Sequence, residues 1–419
     1  MNKLWEKAKQ IIPGGNQLIS KRPDQFLPTG WPTYYEHALG ISIWDLKGKE
    51  YQDFSTMGIG SCILGYRDQQ VDVAVLKAIL AGNMTTLNCP EEVELAEKLL
   101  DLHPWADMVR YARTGGEANA IAIRLARAYT GKDKVAFSGY HGWHDWYLSA
   151  NLENKNNLDK HLLPNINPIG IPKGLKGITM PFTTFDELKK TNADIVIMEI
   201  IRHKKPDIDY LKKIREYCSE KNKVLIFDEV TSGFRETLGG YHTKINVNPD
   251  LCVFGKGMSN GYPMSAVIGK KEIMKKTQDS FISSTYWTDK IGPVATLATI
   301  DKLEQYNVPY NLCRSGEQIL NGWRRIASKH GIGISIKDGF LPIVSFEFWD
   351  KHKIKRTFFI QEMLKEGYLA NNTVYLSYAH TDKDIRRYLE KVDIVFEQIA
   401  KGNIKLDSPV AKTGLRRVT

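Results

Sequence analysis

The chain has 419 residues, with 58 Lys+Arg against 48 Asp+Glu, a formal net charge of +10, and 42% hydrophobic and 25% charged residues. That balance is ordinary for a globular protein and excludes a wholly disordered, collagen-like or coiled-coil chain. No stretch approaches the ~18 unbroken apolar residues of a membrane span. The basic excess reads as a solvated surface rather than a nucleic-acid groove. Five basic residues and one Asp lie in 401–419, and the Lys270-Lys271 and Lys275-Lys276 clusters carry no interleaved aromatics. The opening residues scatter charges and lack an apolar h-region, so no secretory signal is expected. Five cysteines (Cys62, Cys89, Cys218, Cys252, Cys313) are dispersed, without a CxxC. A reduced, cytoplasmic protein with no structural metal is the expectation.

In chain order, residues 41–51 predict a β-hairpin turning at Lys47-Gly48-Lys49. Residues 117–129 put Ala118, Ile121, Ala122, Leu125, Ala126 and Tyr129 on one face at i, i+3, i+4 spacing, which predicts an amphipathic helix. Short apolar runs at 135–137, 195–198, 224–227 and 251–254 are each bounded by polar or turn residues, as strands buried on both faces are. A second helix is predicted over 210–221. This alternation argues for an α/β fold with a mostly parallel sheet and helices on both sides. After about residue 292 the predicted order is helix, strands 332–336 and 343–348, helix 353–365, strand 374–377, helix 382–400. The expected organisation is an N-terminal segment (1–55), a large domain (56–290) and a C-terminal part (291–419). Both chain ends would form a smaller α+β domain.

Four features sit at strand ends or loop-to-helix turns, where ligands of α/β sheets bind. Thr114-Gly115-Gly116 opens the helix before Glu117. It reads as a phosphate cup at a helix N-terminus, or as an ordinary N-cap made by Thr114. Asp228 ends a buried strand. It can hold a cationic ligand nitrogen, or cap a turn. Lys256, between Gly255 and Gly257 just past the strand at 251–254, has the access a carbonyl-attacking lysine needs, or is a surface turn lysine. Gly139-Tyr140-His141-Gly142-Trp143-His144 offers an aromatic to stack on a flat heterocycle. His141 and His144 as a metal pair is the weaker reading, since no further ligands cluster nearby. Together these supply a phosphate cup, an aromatic lid, an acid for a ring nitrogen and a Schiff-base lysine. That is the set pyridoxal 5′-phosphate (PLP) requires.

The sequence resembles the class III, fold-type I PLP-dependent aminotransferases, and within them the glutamate-1-semialdehyde aminomutase branch. The resemblance covers nearly the whole chain. It runs through Pro13-Gly14-Gly15, Ala38-Leu39-Gly40, Asp45, Gly48, Asp53, Leu64-Gly65-Tyr66, Thr114-Gly115-Gly116-Glu117-Ala118, Tyr140-His141-Gly142, Asp228-Glu229-Val230, Gly233-Phe234-Arg235, Pro249-Asp250-Leu251 and Gly255-Lys256-Gly257. It implies that Lys256 forms the Schiff base and then shuttles the proton, and that Asp228 pairs with the ring nitrogen. Val230 and Tyr140 would flank the ring, and Thr114, Gly115 and Gly116 would hold the phosphate, with His141 and Glu199 also in the cofactor site. Thr285, or Ser284 beside it, would hold the phosphate of a second subunit, which implies a homodimer with shared active sites.

The chain also departs from that branch. Glu199-Ile200-Ile201-Arg202 stands where the aminomutase has Glu-Pro-Val followed shortly by Gly-Asn. Thr114-Gly115-Gly116 replaces a Ser-Gly-Thr cup, and Trp287-Thr288-Asp289-Lys290-Ile291-Gly292-Pro293 replaces Gly-Asn-Pro. Near the expected substrate arginine stand Lys21 and Arg22. These changes spare the cofactor machinery and touch the substrate side. The expected activity is ping-pong transfer from L-glutamate to another carbonyl compound, with the aminomutase reaction as the alternative. The Ser-Thr-aromatic-Trp-Thr segment resembles enzymes of surface-polysaccharide precursor pathways. The run Arg202-His203-Lys204-Lys205 could bind an anionic substrate and is read rather as a solvated loop, and Trp143, Trp146, Tyr286 and Trp287 could line a substrate pocket and are read rather as core or interface.

Overall fold

The computed structural model describes residues 3–202 and 205–412. The chain divides into two compact units, Met1–Asp68 with Tyr310–Thr419, and Gln69–Pro309. His203, Lys204 and the last part of the basic segment lie outside the described residues.

The Gln69–Pro309 unit is built on a seven-stranded sheet. Its strand order is Met108–Ala112, Ser265–Gly269, Leu251–Phe254, Val224–Asp228, Ile195–Met198, Val135–Ser138, Thr179–Pro181. The last five are mutually parallel. Their residues are apolar without alternation, because both faces of the sheet are covered. Ser265–Gly269 runs antiparallel to both of its neighbours, a reversal the sequence reading did not foresee. Two reversals restore direction, so Met108–Ala112 points the same way as the parallel set. The segments after Ala112, Ser138, Met198, Asp228 and Phe254 therefore leave the sheet at one edge.

The helix Gly115–Thr130 packs across this sheet. Thr114 caps it: its hydroxyl accepts from the Glu117 N–H, and the Glu117 carboxylate accepts the Thr114 N–H at 2.8 Å. Gly131 closes the far end at φ +67°. Ala118, Ile121, Ala122, Leu125 and Ala126 are buried as their spacing predicts, whereas Tyr129, in the last turn, is exposed. Asn119 is buried on the same helix, and its partner lies in the site described below.

The other unit joins the two chain ends. Strands Tyr35–Leu39, Ser42–Asp45 and Glu50–Phe54 form an antiparallel meander that contains the predicted hairpin, and Tyr368–Ala370 adds in parallel beside Glu50–Phe54. A second sheet holds Ile334–Lys337, Ile343–Phe348 and Thr373–Tyr375. The first of these starts two residues later than the sequence suggests, because the Ile332 N–H returns to the Ala327 carbonyl and closes the preceding helix. The last stops before Ser377, whose N–H turns to His380 Nδ1. The helix Asp382–Ala400 has the predicted bounds. Phe54 anchors this unit: it is fully buried, stacked on Tyr388 at 4.2 Å and 3°, and met edge-on by Tyr368 and His380. Removing such a ring costs about 3–5 kcal/mol. Phe54→Ala is therefore expected to lower the thermal midpoint of the protein by several degrees in a calorimetric scan, while Phe54→Leu recovers part of the loss.

Candidate active site

The shared sheet edge brings nine of the nominated residues together. Asp228 is the deepest of them, 3% exposed. Its Oδ2 accepts from Asn119 Nδ2 at 2.7 Å and faces His141 Nδ1 at 2.7 Å, and its Oδ1 accepts the Val230 N–H at 3.1 Å. Burial alone would push this carboxyl up. The bond and charge of His141, with Val230 and Asn119, outweigh it and hold the group below its ordinary value. The other ring nitrogen of His141 faces the Ser138 carbonyl at 3.2 Å, so the histidine is enclosed by acceptors rather than set as a metal ligand with His144.

Lys256 follows the neighbouring strand. Its backbone is left-handed at φ +48°, an unfavourable conformation for a side-chain-bearing residue and one often found at functional sites. Its Nζ donates to Thr231 Oγ1 at 2.8 Å. Burial, and next the charge of Arg202, push its ammonium down from the usual 10.5 to about 8. A surface turn lysine has neither feature.

The remaining residues close the ring around these two. Val230 lies against Gly115, where a Cβ would come within 2.8 Å of it. The loop at Tyr140 lies on the helix start: a Cβ on Gly116 would meet the His144 ring at 3.0 Å, and one on Gly142 would meet Gly116 Cα at 3.2 Å. The Tyr140 N–H donates to Glu199 Oε2 at 2.9 Å. Gly139, at φ +108°, has no room for a side chain, because Glu199 fills that space. Thr114 is committed to its cap, which leaves the N–H groups of Gly115 and Gly116 as the ones without a hydrogen bond among the described residues.

Ser284 and Thr285 stand apart and are exposed. Arg113 holds the turn that follows them, through Asp289 at 2.6 Å and the Trp287 carbonyl at 2.8 Å. Trp146 is buried, and Trp143 is 70% exposed and stacks on His144.

Arg202 is a correction. It is no solvated loop residue: its guanidinium clasps the Glu199 carboxylate, reaches Thr231 Oγ1 at 3.3 Å and lies 6.0 Å from the centre of the Tyr140 ring. Asn119 and Thr231 were also missed. Asn119 had a signal, a polar residue next to an apolar helical stripe. Thr231 had none.

Behind Asp228, Glu229 faces away from this cluster. It accepts from Ser232, the Tyr241 and His242 N–H groups and His242 Nδ1, while His242 Nε2 accepts from Trp105. Cys252 lies close by, but both nitrogens of His242 are occupied by hydrogen bonds. This group is a buried scaffold for the strand end rather than a metal centre.

The family model of the class III aminotransferases matches residues 28–395. The chain is a class III aminotransferase. It is 32% identical over 413 residues to the 3-aminobutyryl-CoA aminotransferase of Cloacimonas acidaminovorans (strain Evry), covering 95% of this chain and 97% of the relative. It is 30% identical over 422 residues to the glutamate-1-semialdehyde 2,1-aminomutase of Methanobrevibacter smithii, covering 94% and 97%. It is 29% identical over 397 residues to the 2'-deamino-2'-hydroxyneamine transaminase of Streptomyces kanamyceticus, covering 92% and 96%. Among solved structures, the FumI protein of Sphingopyxis sp. MTA144 in its PLP internal aldimine form superimposes with a TM-score of 0.86 over 97% of both chains, at 24% identity. This class III aminotransferase thus has the fold-type I architecture, and its cofactor is PLP.

The site fits that cofactor on three physical counts. A buried, ionised carboxylate suits a pyridinium nitrogen, two unsatisfied N–H groups at a helix start suit a phosphate, and an amine of lowered proton affinity suits a carbonyl. The lysine also makes a prediction about the cofactor-stripped protein. At pH 7 folded and unfolded chains both hold the Lys256 proton. Above pH 8 the folded chain releases it, while the unfolded chain keeps it until about 10.5. The unfolded state then binds more protons, so stability rises with pH across this window. Thermal midpoints from pH 8 to 10 should shift upward more in the wild type than in Lys256→Met. Equal shifts would contradict the depressed ammonium.

Proposed function

We propose that this enzyme moves an amino group from L-glutamate to a separate carbonyl acceptor, with Lys256 and Asp228 as its catalytic residues. The observation that carries the reading is their placement at neighbouring strand ends, one an amine made easier to deprotonate, the other an acid kept ionised in the interior. When bound, PLP supplies an electron sink that stabilises charge on the substrate carbon. Lys256 would hold the cofactor through Nζ, and its amine is placed to carry a proton to and from the substrate carbon when it is not so engaged. Thr231 orients that amine in the meantime. Asp228 would keep the ring nitrogen protonated, and Asn119 and His141 help to keep Asp228 ionised. Val230 and Tyr140 would flank the ring, and Gly115 and Gly116 would hold the phosphate through their N–H groups, beside Thr114. Glu199 fixes the Tyr140 loop.

Ser284 and Thr285, exposed on the Arg113-held segment, are read as donated to the phosphate site of a second copy. That makes the enzyme a homodimer with shared sites. Support for a surface-glycan precursor as acceptor comes from the Ser-Thr-aromatic-Trp-Thr segment and from the similarity to the 2'-deamino-2'-hydroxyneamine transaminase of Streptomyces kanamyceticus. The aminomutase reading rests on the similarity to that enzyme in Methanobrevibacter smithii.

The test is spectral and chemical. PLP-loaded protein given L-glutamate alone should lose its visible band and release stoichiometric 2-oxoglutarate, and Lys256→Ala should do neither. Retention of the band with glutamate, together with isomerisation of glutamate-1-semialdehyde without an external donor, would establish the aminomutase instead.

A further inference from the structure

We propose that the cavity beside the Gly115–Thr130 helix binds a nucleotide, with the base on Trp143 and the phosphates on Arg124 and Arg127. The cavity measures about 550 Å³, and Arg124, Arg127, Trp143, His144 and Trp146 are among the residues that line it. That volume is in the range of ordinary ligand pockets. None of these five residues has a part in the amino transfer proposed above, so the inference goes beyond that reading.

Its first ground is charge. Ala120, Ile123, Arg124 and Arg127 recur at helical spacing, so both guanidiniums rise from one face of the helix, one turn apart. The only acid in that helix is Glu117, which is committed to the Thr114 cap. Arg124 makes no hydrogen bond or ion pair among the described residues. Arg127 Nε donates to the Asp133 carbonyl at 3.0 Å, while its Nη2 is buried without a hydrogen bond. The one acid on the cavity wall, Asp145, is exposed to solvent. Like charges one turn apart repel each other, and a phosphate dianion between two guanidiniums replaces that repulsion with charge-assisted hydrogen bonds.

The second ground is the aromatic surface. Trp143 leaves most of its indole open and stacks on His144, with ring centroids 4.6 Å apart and planes 29° from parallel. His144 is itself set against Gly116, which ties this pair to the helix start. An open indole face beside two guanidiniums matches a flat heteroaromatic ring that carries phosphate. Nothing in the cavity selects one base, because every base has a π-face to offer the indole.

The third ground is unmet hydrogen bonding. Trp146 is 8% exposed, and its Nε1 has no partner. With Arg127 Nη2 it makes two buried donors on one cavity wall that lack acceptors, an arrangement that costs free energy until acceptors arrive. Ribose and phosphate oxygens are such acceptors.

The experiment uses the full-length, PLP-loaded protein. PLP keeps the cofactor's own phosphate site filled. ADP, adenosine and inorganic pyrophosphate are titrated separately by isothermal titration calorimetry, without divalent metal. ADP should bind with a Kd below about 1 mM, and more tightly than either fragment. Arg124→Ala and Arg127→Ala should each weaken ADP roughly 10- to 100-fold, the size of a lost charge-assisted hydrogen bond. Trp143→Ala should weaken ADP about tenfold and pyrophosphate less than about threefold. ADP should also quench part of the tryptophan emission, a part that is missing in Trp143→Phe. The visible cofactor band should be unaltered in Arg124→Ala, which separates loss of the site from loss of the fold.

No ADP binding by the wild type, or ADP affinity unchanged in both arginine variants, would overturn the assignment. So would adenosine or pyrophosphate binding as tightly as ADP, or equal losses of ADP and pyrophosphate in Trp143→Ala.

Discussion

A carboxylate kept ionised in the interior is the constraint around which this site is arranged. Asp228 lies at the end of a strand buried on both faces, where an unpaired charge would be lost to protonation. Asn119 from the capped helix, His141 from the neighbouring loop and its own Val230 N–H hold it charged. Leaving a buried charge unpaired costs about 3–5 kcal/mol. Each of these partners therefore fixes an element: the rotation of the Gly115–Thr130 helix, the entry of the Tyr140 loop, and the turn after Asp228. Those are the elements that present the two glycine N–H groups, the tyrosine ring and the valine face. In the proposed function, one hydrogen-bond network would serve both the charge and the placement of the cofactor ring.

The sheet makes this economical. Parallel strands deliver their C-terminal ends to a common edge, and the paired reversal at Ser265–Gly269 keeps the Thr114 turn on that edge too. Lys256 gains its lowered proton affinity from the same geometry. Its strand adjoins that of Asp228, and Thr231, Arg202 and Arg235 converge near its amine. Strain at φ +48° and the flanking glycines aim the side chain inward instead of toward solvent. Glu229 secures the strand from behind through His242 and Trp105, so the edge is braced on both sides.

How much of this the sequence discloses depends on the range of each interaction. The helix over 117–129, the four central strands and the hairpin are written in local periodicity, and they appear with small shifts at their ends. Lys256 and Asp228 are legible because glycines and strand ends mark them. The antiparallel Ser265–Gly269 strand is not, since apolar residues in a fully covered strand look the same in either direction. Arg202 was misread for a related reason. A charged run after a strand resembles a solvated loop until Glu199, three residues earlier, is seen to turn inward. Thr231 could not be found from spacing at all, because its role depends on where Lys256 folds back. In Thr114 the capping reading holds: its hydroxyl serves the cap, and among the described residues the neighbouring glycine amides have no hydrogen bond.

Under the proposed function the Asp228 network keeps the cofactor ring nitrogen protonated. The most direct measurement is the ¹⁵N chemical shift of ring-labelled PLP bound to the protein. The account predicts a pyridinium shift in the wild type that persists to high pH, and a shift toward the neutral pyridine value in Asp228→Asn. A neutral pyridine nitrogen in the wild type at pH 7 would contradict it.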